Sequence, residues 1–324
     1  MEFIAAGYEI IEQKPGLKGL YEIIELPGRI CYGSLDKITE GSAKPFIERL
    51  MKSDHGAPLE HGTVYLKCPH KYDIYSNIEI EDCGSELDKY RHNPYSKYTD
   101  TGEYVYVTTN LRVLFENNWL DDIENYLCEP TEYHEKRVMV KFTIDRFTGE
   151  EFLRHRKASF NRESTRYITF TKEKFGGGSI KFILPPWLKE SDNGELLSDE
   201  QEEKIWCINN NFEDMCGQIF NLSSNGELED TFKALDYWIF ALKATEWSYN
   251  NLVNKCNWQA QQARTVLPCA INSPLIMTAF ISDWVHFFNL RALGTTGAPH
   301  PQAKELAEPL MNEFVELGLI EKIN

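Results

Sequence analysis

Val138, Val140, Phe142 and Ile144 alternate with Met139, Lys141, Thr143 and Asp145. A two-residue period sends one row of side chains into a core and the other outward, which is the pattern of a β-strand. A helix signal follows at once. Thr148-Gly149-Glu150-Glu151 fits a capping box, in which a Thr N-cap and a Glu three positions on each satisfy an orphan backbone N–H. The spacing therefore predicts a helix with Arg154, His155 and Arg156 in its second turn. At about 100° per residue, Arg154 and Arg156 would point roughly 200° apart. Two ligands, or two subunits sharing a site, fit that arrangement better than a single ligand group.

The charge around this stretch is unusual for the chain. Residues 154 to 174 hold seven Lys/Arg (154, 156, 157, 162, 166, 172, 174) against Glu163 and Glu173, whereas the whole chain carries −16. A basic island in an acidic protein suits a confined anionic small molecule, such as a phosphate, better than a long polyanion. The acidic total and the absence of a second Lys/Arg cluster argue against a nucleic-acid partner.

At 324 residues, 42% hydrophobic and 26% charged, the composition is that of a soluble globular protein. Mean hydropathy is −0.44, and no apolar run approaches the ~20 residues of a membrane span, so no membrane partner is expected. The start, MEFIAAGYEIIEQKPG, lacks the basic segment and continuous apolar core of a signal peptide. The expected location is cytoplasmic. Eight cysteines are scattered without a C-x-x-C pair and read as reduced packing residues. His55 and His61, six apart with no cysteine near, do not have a common metal-ligand spacing, so no metal is expected.

Elsewhere, Ile23-Ile24 and Gly28 to Gly33 suggest a strand entering a turn, Ala43 to Met51 a helix, and Glu60 to Leu66 the start of a strand. Residues 67–135 are polar, tyrosine-rich and irregular, and read as an insertion with a strand at Tyr104 to Val107 and a helix near Leu111 to Leu127. Gly176-Gly177-Gly178 is a loop tip or hinge, and Phe182 to Pro186 a strand stopped by prolines. Lys189 to Lys204 is polar and acidic and reads as a solvated loop and helix start. Long helices are expected at about Glu200 to Leu222 and Asp230 to Val253, and a helix closes over Gln259 to Arg264. A strand follows at Pro274 to Ile281, then a helix Asp283 to Ala292 capped by Ser282, and a last helix opened by His300-Pro301. Strands and helices mix without a regular βαβ rhythm, so the predicted class is α+β, a mixed sheet flanked by long helices in one domain over 1–324.

The stretch RHRKASFNRESTRY (154–167) resembles the signature of the flavin-dependent thymidylate synthases: R-H-R, seven residues, S, then R-Y. Its companions occur in family order. Arg29-Ile30-Cys31-Tyr32 resembles R-x-[CS]-[FY], and His55-Gly56-Ala57-Pro58-Leu59-Glu60-His61 resembles H-x-[ST]-P-x-E-H. Ala263-Arg264-Thr265-Val266-Leu267-Pro268 is similar to A-R-x-x-L-P, His286 to Arg291 to H-F-x-x-L-R, and His300-Pro301-Gln302 to the closing H-A-Q. The match spans about residues 29 to 302 and leaves out 67–135 and much of 189–230.

The resemblance implies reductive methylation of 2'-deoxyuridine 5'-monophosphate (dUMP) to dTMP. 5,10-Methylenetetrahydrofolate would give the methylene, reduced FAD the hydride, and NADPH would recharge the flavin. It also implies a homotetramer with active sites at subunit interfaces. For dUMP it names Glu151, Arg154, Glu163, Ser164, Thr165, Arg166, Arg264 and Arg291. For FAD it names His55, Glu60, Arg154, His155, Arg156, Asn161, His286 and His300. Guanidinium forks suit a phosphate dianion, and Arg291 is the catalytic candidate, a fixed positive charge beside an N3-deprotonated uracil. Ser164 reads as a binding residue, because no adjacent base would activate it. Pro268-Cys269 resembles the nucleophile region of the cysteine-dependent synthases, but Ala270 follows where those have His, so Cys269 reads as packing.

This sequence departs from the pattern in places. Asn161 is followed by Arg162 and then Glu163 rather than directly by Glu, so either Glu163 serves one position late or that contact is lost. Glu151 stands for a frequent Gln, and Ala57 lacks a frequent hydroxyl. Phe280 and Ser282 occupy the places of an N-x-R pair that often contacts FAD. These departures keep open a second reading, a nucleotide-binding protein of the same fold without synthase activity.

Overall fold

The computed structural model describes residues 1–70, 84–189, 196–225 and 233–323. Parts of the 67–135 and 189–204 readings, and the start expected at Asp230, lie outside them. In chain order the elements are β1 (Glu2–Ile4), β2 (Gly7–Ile11), α1 (Gly16–Cys31), α2 (Ala43–Lys52), β3 (Thr63–Pro69), β4 (Lys97–Asp100), β5 (Tyr104–Asn110), α3 (Leu111–Glu116), α4 (Asp121–Tyr126), β6 (Arg137–Thr143), α5 (Arg146–Phe152), β7 (Ser159–Arg162), β8 (Lys181–Ile183), α6 (Asp199–Asn225), α7 (Ala234–Asn254), α8 (Ala260–Ala263), β9 (Leu275–Phe280), α9 (Ile281–Arg291) and α10 (Pro301–Glu316).

The α+β class holds, and the strands of the described residues divide among three sheets. Four antiparallel strands in the order β2-β6-β9-β7 form the sheet that carries the signature. A second antiparallel sheet, β3-β5-β4, is built largely from the tyrosine-rich stretch. The only parallel pairing among the described residues is β1 with β8.

The alternation in β6 sorts its side chains as expected. Val138, Val140 and Phe142 bury against Phe152 of α5, Trp284, Phe287 and Phe288 of α9, and Leu306, Leu310 and Phe314 of α10. On the opposite side, Met139 and Ile276 join the core shared by α1, α2, β3, β5 and α3. Each large side chain withdrawn from water contributes about 1.5–3 kcal/mol, so both faces of the sheet hold it in place. A third core joins β8 to α6 and α7 through Phe182, Ile208, Leu235, Ile239 and Leu242.

Four local expectations are corrected. Residues 23–33 form the end of a helix rather than a strand. Leu20, Ile23, Ile24, Pro27 and Ile30 recur at helical spacing and are buried, and Gly28 sits inside the helix because the Phe46 ring packs where its Cβ would be, at 2.6 Å. The helix near Leu111–Leu127 is two short helices. The capping box at Thr148 is also displaced. Asp145 is the N-cap of α5, accepting from Thr148 N at 3.0 Å, and the helix ends at Phe152. Arg154, His155 and Arg156 therefore follow the helix in a turn closed by His155 N→Phe152 O and Ala158 N→His155 O, both 3.0 Å. The 200° separation does not apply to them. Ser282 likewise lies inside α9, whose N-cap is Phe280.

The seven described cysteines are free thiols. Among the described residues no helix is long and apolar enough to cross a membrane, and no group of three His, Cys, Asp or Glu could hold a metal ion.

Candidate active site

Arg291 ends α9, and its side chain crosses to the end of α5. Nη1 donates to Glu151 Oε2 at 2.8 Å, Nη2 to the Glu151 carbonyl at 2.9 Å, and Nε to His155 Nε2 at 3.2 Å. The cation thus adds a hydrogen bond to a backbone carbonyl in the last turn of a helix, and a carboxylate locks its planar fork. Accepting from Arg291 requires a neutral His155 with its proton on Nδ1. Burial, with Arg291 and His286 nearby, pushes the imidazole down to about 4. The His286 ring lies 5.9 Å from it and Phe287 5.0 Å. Arg154 and Arg156 flank His155, exposed and without an ion-pair partner among the described residues.

A second group gathers where α1 ends. Ser164 N donates to Cys31 O at 3.3 Å, and Arg166 N to Ser164 Oγ at 3.4 Å. Tyr32 OH and His55 Nδ1 are joined at 2.7 Å, and Tyr167 lies 5.6 Å from the Tyr32 ring. Arg29 of the early motif is buried and paired with Glu25 at 2.7 Å, so it is structural. Arg166 is exposed and Thr165 buried.

Asn161 pairs with Ile276, whose side chain is on the α1 side of the sheet, and Arg162 pairs with Leu275, on the other. Arg162 Nη2 meets Glu150 Oε1 at 2.7 Å, so the residue out of pattern has its own carboxylate partner. Glu163 is half-buried, and burial raises its carboxyl to about 7. Arg264 is exposed at the start of a 3-10 turn, and its charge, with that of Arg162 and with burial, lowers Arg146.

Glu60 is held by Arg112 from α3. The neighbouring His61 is buried. Its Nδ1 contacts Thr278 Oγ1 at 2.8 Å, while its Nε2 lacks a well-formed hydrogen bond although the Asn161 amide lies beside it. Burial first, then Arg137, drives His61 down to about 3, and Asn161 partly offsets this. His300 caps α10 with its ring edge-on to Trp187 at 5.8 Å. It lines a cavity of about 380 Å³ with Glu151, Asp145 and Gln302.

One protomer therefore brings together Glu151, His155, His286 and Arg291. It joins them by no hydrogen bond or ion pair to the Ser164–Arg166 group, to His55 or to Arg264. Sequence reasoning missed Arg137, Arg146 and Arg112. Only the departure at Arg162 gives a signal, and no local pattern points to its partner Glu150.

A family model described as thymidylate synthase complementing protein, Thy1, matches residues 131–317. The chain belongs to this family. It is thus a flavin-dependent thymidylate synthase by family, a methyltransferase, as the signature implied. Among solved structures it is similar to the UMP/dUMP methylase PolB from Streptomyces cacaoi bound with 5-Br dUMP, at 16% identity over 98% of this chain and 93% of that one, with a TM-score of 0.38. It is also similar to thymidylate synthase ThyX from Helicobacter pylori with FAD and dUMP, at 14% identity over 95% and 92%, with a TM-score of 0.34. A comparison with curated proteins gives no match.

Proposed function

We propose that this enzyme converts dUMP to dTMP with 5,10-methylenetetrahydrofolate as methylene donor and NADPH as the reductant of bound FAD, without a cysteine nucleophile. The observation that carries the reading is the meeting of Arg291, Glu151 and His155. Two stretches about 140 residues apart converge, so that one oriented guanidinium lies beside a neutral imidazole.

Arg291 supplies a fixed positive charge that lowers the cost of an electron-rich, N3-deprotonated uracil ring. Its fork is already held in orientation, so little rearrangement accompanies the charge build-up. Glu151 offsets part of that charge, and Arg291 stays aimed through the Glu151 carbonyl as well. Ser164, Thr165, Arg166, Arg264 and Arg154 are the proposed holders of the nucleotide, their N–H and O–H groups matching a phosphate dianion. Glu163, a carboxyl poised near neutrality, can hold a proton in the same site.

For FAD, the proposed residues are His55, Glu60, Arg154, His155, Arg156, Asn161, His286 and His300. The residues fit an anionic dinucleotide: Arg154 and Arg156 are exposed cations without carboxylate partners among the described residues, and Asn161 Nδ2 is a buried donor without a well-formed hydrogen bond. Reduced flavin supplies the hydride that completes the methyl group. Because the Ser164–Arg166 group and Arg264 are not joined to Arg291 within one protomer, we propose that sites form between subunits of a homotetramer.

The test is to load the purified chain with FAD and reduce it with NADPH. Addition of dUMP and methylenetetrahydrofolate should then reoxidise the flavin and yield dTMP. A chain that stays colourless with excess FAD overturns the proposal. Binding of FAD and dUMP without turnover selects instead the same-fold nucleotide-binding protein, a reading favoured by the Glu151 carboxylate set against Arg291.

A further inference from the structure

The tyrosine-rich stretch re-enters the signature sheet at Arg137, the first residue of β6. Arg137 pairs in register with Phe280 of β9, and its guanidinium lies 5.5 Å from the Phe280 ring centre. Its hydrogen bonds go only to neutral hydroxyls. Nη2 donates to Ser159 Oγ at 3.1 Å and Nη1 to Thr63 Oγ1 at 3.5 Å, while Nε, buried, has no partner. No carboxylate among the described residues forms an ion pair with it. The nearest acids are engaged elsewhere, Glu60 by Arg112 and Asp283 by Lys157 at 3.9 Å.

Arg137 is half-buried, so its guanidinium gives up part of its water with no counter-charge in exchange, which is unfavourable. Burial accordingly lowers Arg137 to about 10. Beside it, Asn161 Nδ2 is a buried donor without a well-formed hydrogen bond. A neighbouring cation from the tyrosine-rich stretch, Lys97, lies 5.3 Å from the centre of the same Phe280 ring but is neutralised by Glu135 at 3.1 Å. Glu135 in turn accepts from Ser282 N at 3.0 Å at the start of α9. Of these two cations, Arg137 is the one without a carboxylate partner among the described residues, next to Phe280 and Ser282, where the family pattern carries an Asn and an Arg.

We infer that Arg137 is a cofactor-binding residue of this chain, its guanidinium holding an anionic oxygen of the flavin dinucleotide's pyrophosphate in place of the arginine absent at position 282. The inference rests on the proposed FAD-dependent function. It gives the β3-β5-β4 sheet a role, since that sheet and its return strand deliver the cation to the seam between β6 and β9.

Fluorescence titration of the full chain with FAD and, separately, with riboflavin tests this, because riboflavin has the same ring system and no phosphate. Arg137→Met should weaken FAD binding about 10- to 100-fold, the loss expected when a hydrogen bond to a charged group is removed, and leave riboflavin binding unchanged. Arg137→Lys, which keeps the charge but loses the fork, should recover part of the FAD affinity. Should Arg137→Met fail to fold, Arg137→Lys is read alone, and FAD affinity equal to the wild type overturns the inference. Equal loss for FAD and riboflavin also overturns it, as would unchanged FAD affinity with dissociation of the assembly, which would make Arg137 a subunit contact. A wild-type chain that takes up no FAD overturns the functional reading itself.

Discussion

Arg291 and Arg137 stand on neighbouring elements of one sheet-and-helix unit, and their surroundings are opposites. Arg291 has all three guanidinium nitrogens hydrogen-bonded, one of them to a carboxylate. Arg137 has two neutral hydroxyls, a bare Nε and no carboxylate. Protein interiors satisfy buried polar groups almost completely, so the two positions carry different information. A satisfied cation is pre-organised, with its geometry in place before any ligand arrives. An unsatisfied one is a deficit that a ligand can fill. The first suits charge stabilisation during a reaction, where reorientation would be costly, and the second suits binding.

The strongest way to break the comparison is at Arg291. Arg291→Ala should lower dTMP formation about 100- to 1,000-fold, the range for losing one pre-organised electrostatic group, with FAD still bound. Loss of FAD together with turnover would make Arg291 a cofactor holder and remove the contrast with Arg137.

A second test uses the two histidines kept neutral around these arginines. His61 is depressed to about 3 and His155 to about 4, against 6.5 when unfolded. Below pH 6.5 the unfolded chain binds protons that the folded chain refuses. Stability is therefore complete above about 6.5 and should fall by a few kcal/mol as pH drops toward 4. Thermal melts between pH 7.5 and 4.5 check this, and His61→Gln should flatten the acid limb.

Glu163 should behave in the opposite sense. Its folded carboxyl is raised to about 7, so ionising it costs stability at high pH and nothing below its unfolded value. Glu163→Gln should stabilise the chain by up to about 2 kcal/mol at pH 8 and leave it unchanged at pH 4.5. An equal Tm change at both values would mean that packing, not charge, sets the effect.

The smallest effect is expected at Arg112. It binds Glu60 and Glu116 on a partly exposed surface, where such pairs are worth about 0–1 kcal/mol. Arg112→Ala should shift Tm by a degree or two, and it sharpens the contrast by freeing Glu60. If Glu60 then pairs with Arg137, FAD affinity should fall even though Arg137 is intact.

Much of the fold was legible where one short period dominated. The alternation at Val138–Ile144, the helix at Ala43, the Pro301 helix start and the strand before Ile281 all depend on neighbours within a few residues. Errors arose where two local rules competed. At residues 23–33 the glycines read as a turn, although the helical spacing of Leu20, Ile23, Ile24 and Ile30 prevailed once Phe46 covered Gly28. At Thr148 two capping residues were available, and Asp145 captured both the Thr148 amide and its hydroxyl. That difference of three residues moved Arg154–Arg156 out of the helix.

By itself the sequence determined the order of the motifs and the family, because those depend on residue identity and spacing along the chain. Tertiary structure decided which charges are matched. Glu151 and Arg291 are 140 residues apart, Glu60 and Arg112 are 52 apart, and Arg137 meets only hydroxyls. No local pattern encodes such pairings, because a buried charge takes its partner from whatever the packed elements bring within about 4 Å, where the Coulomb term is large enough to offset desolvation.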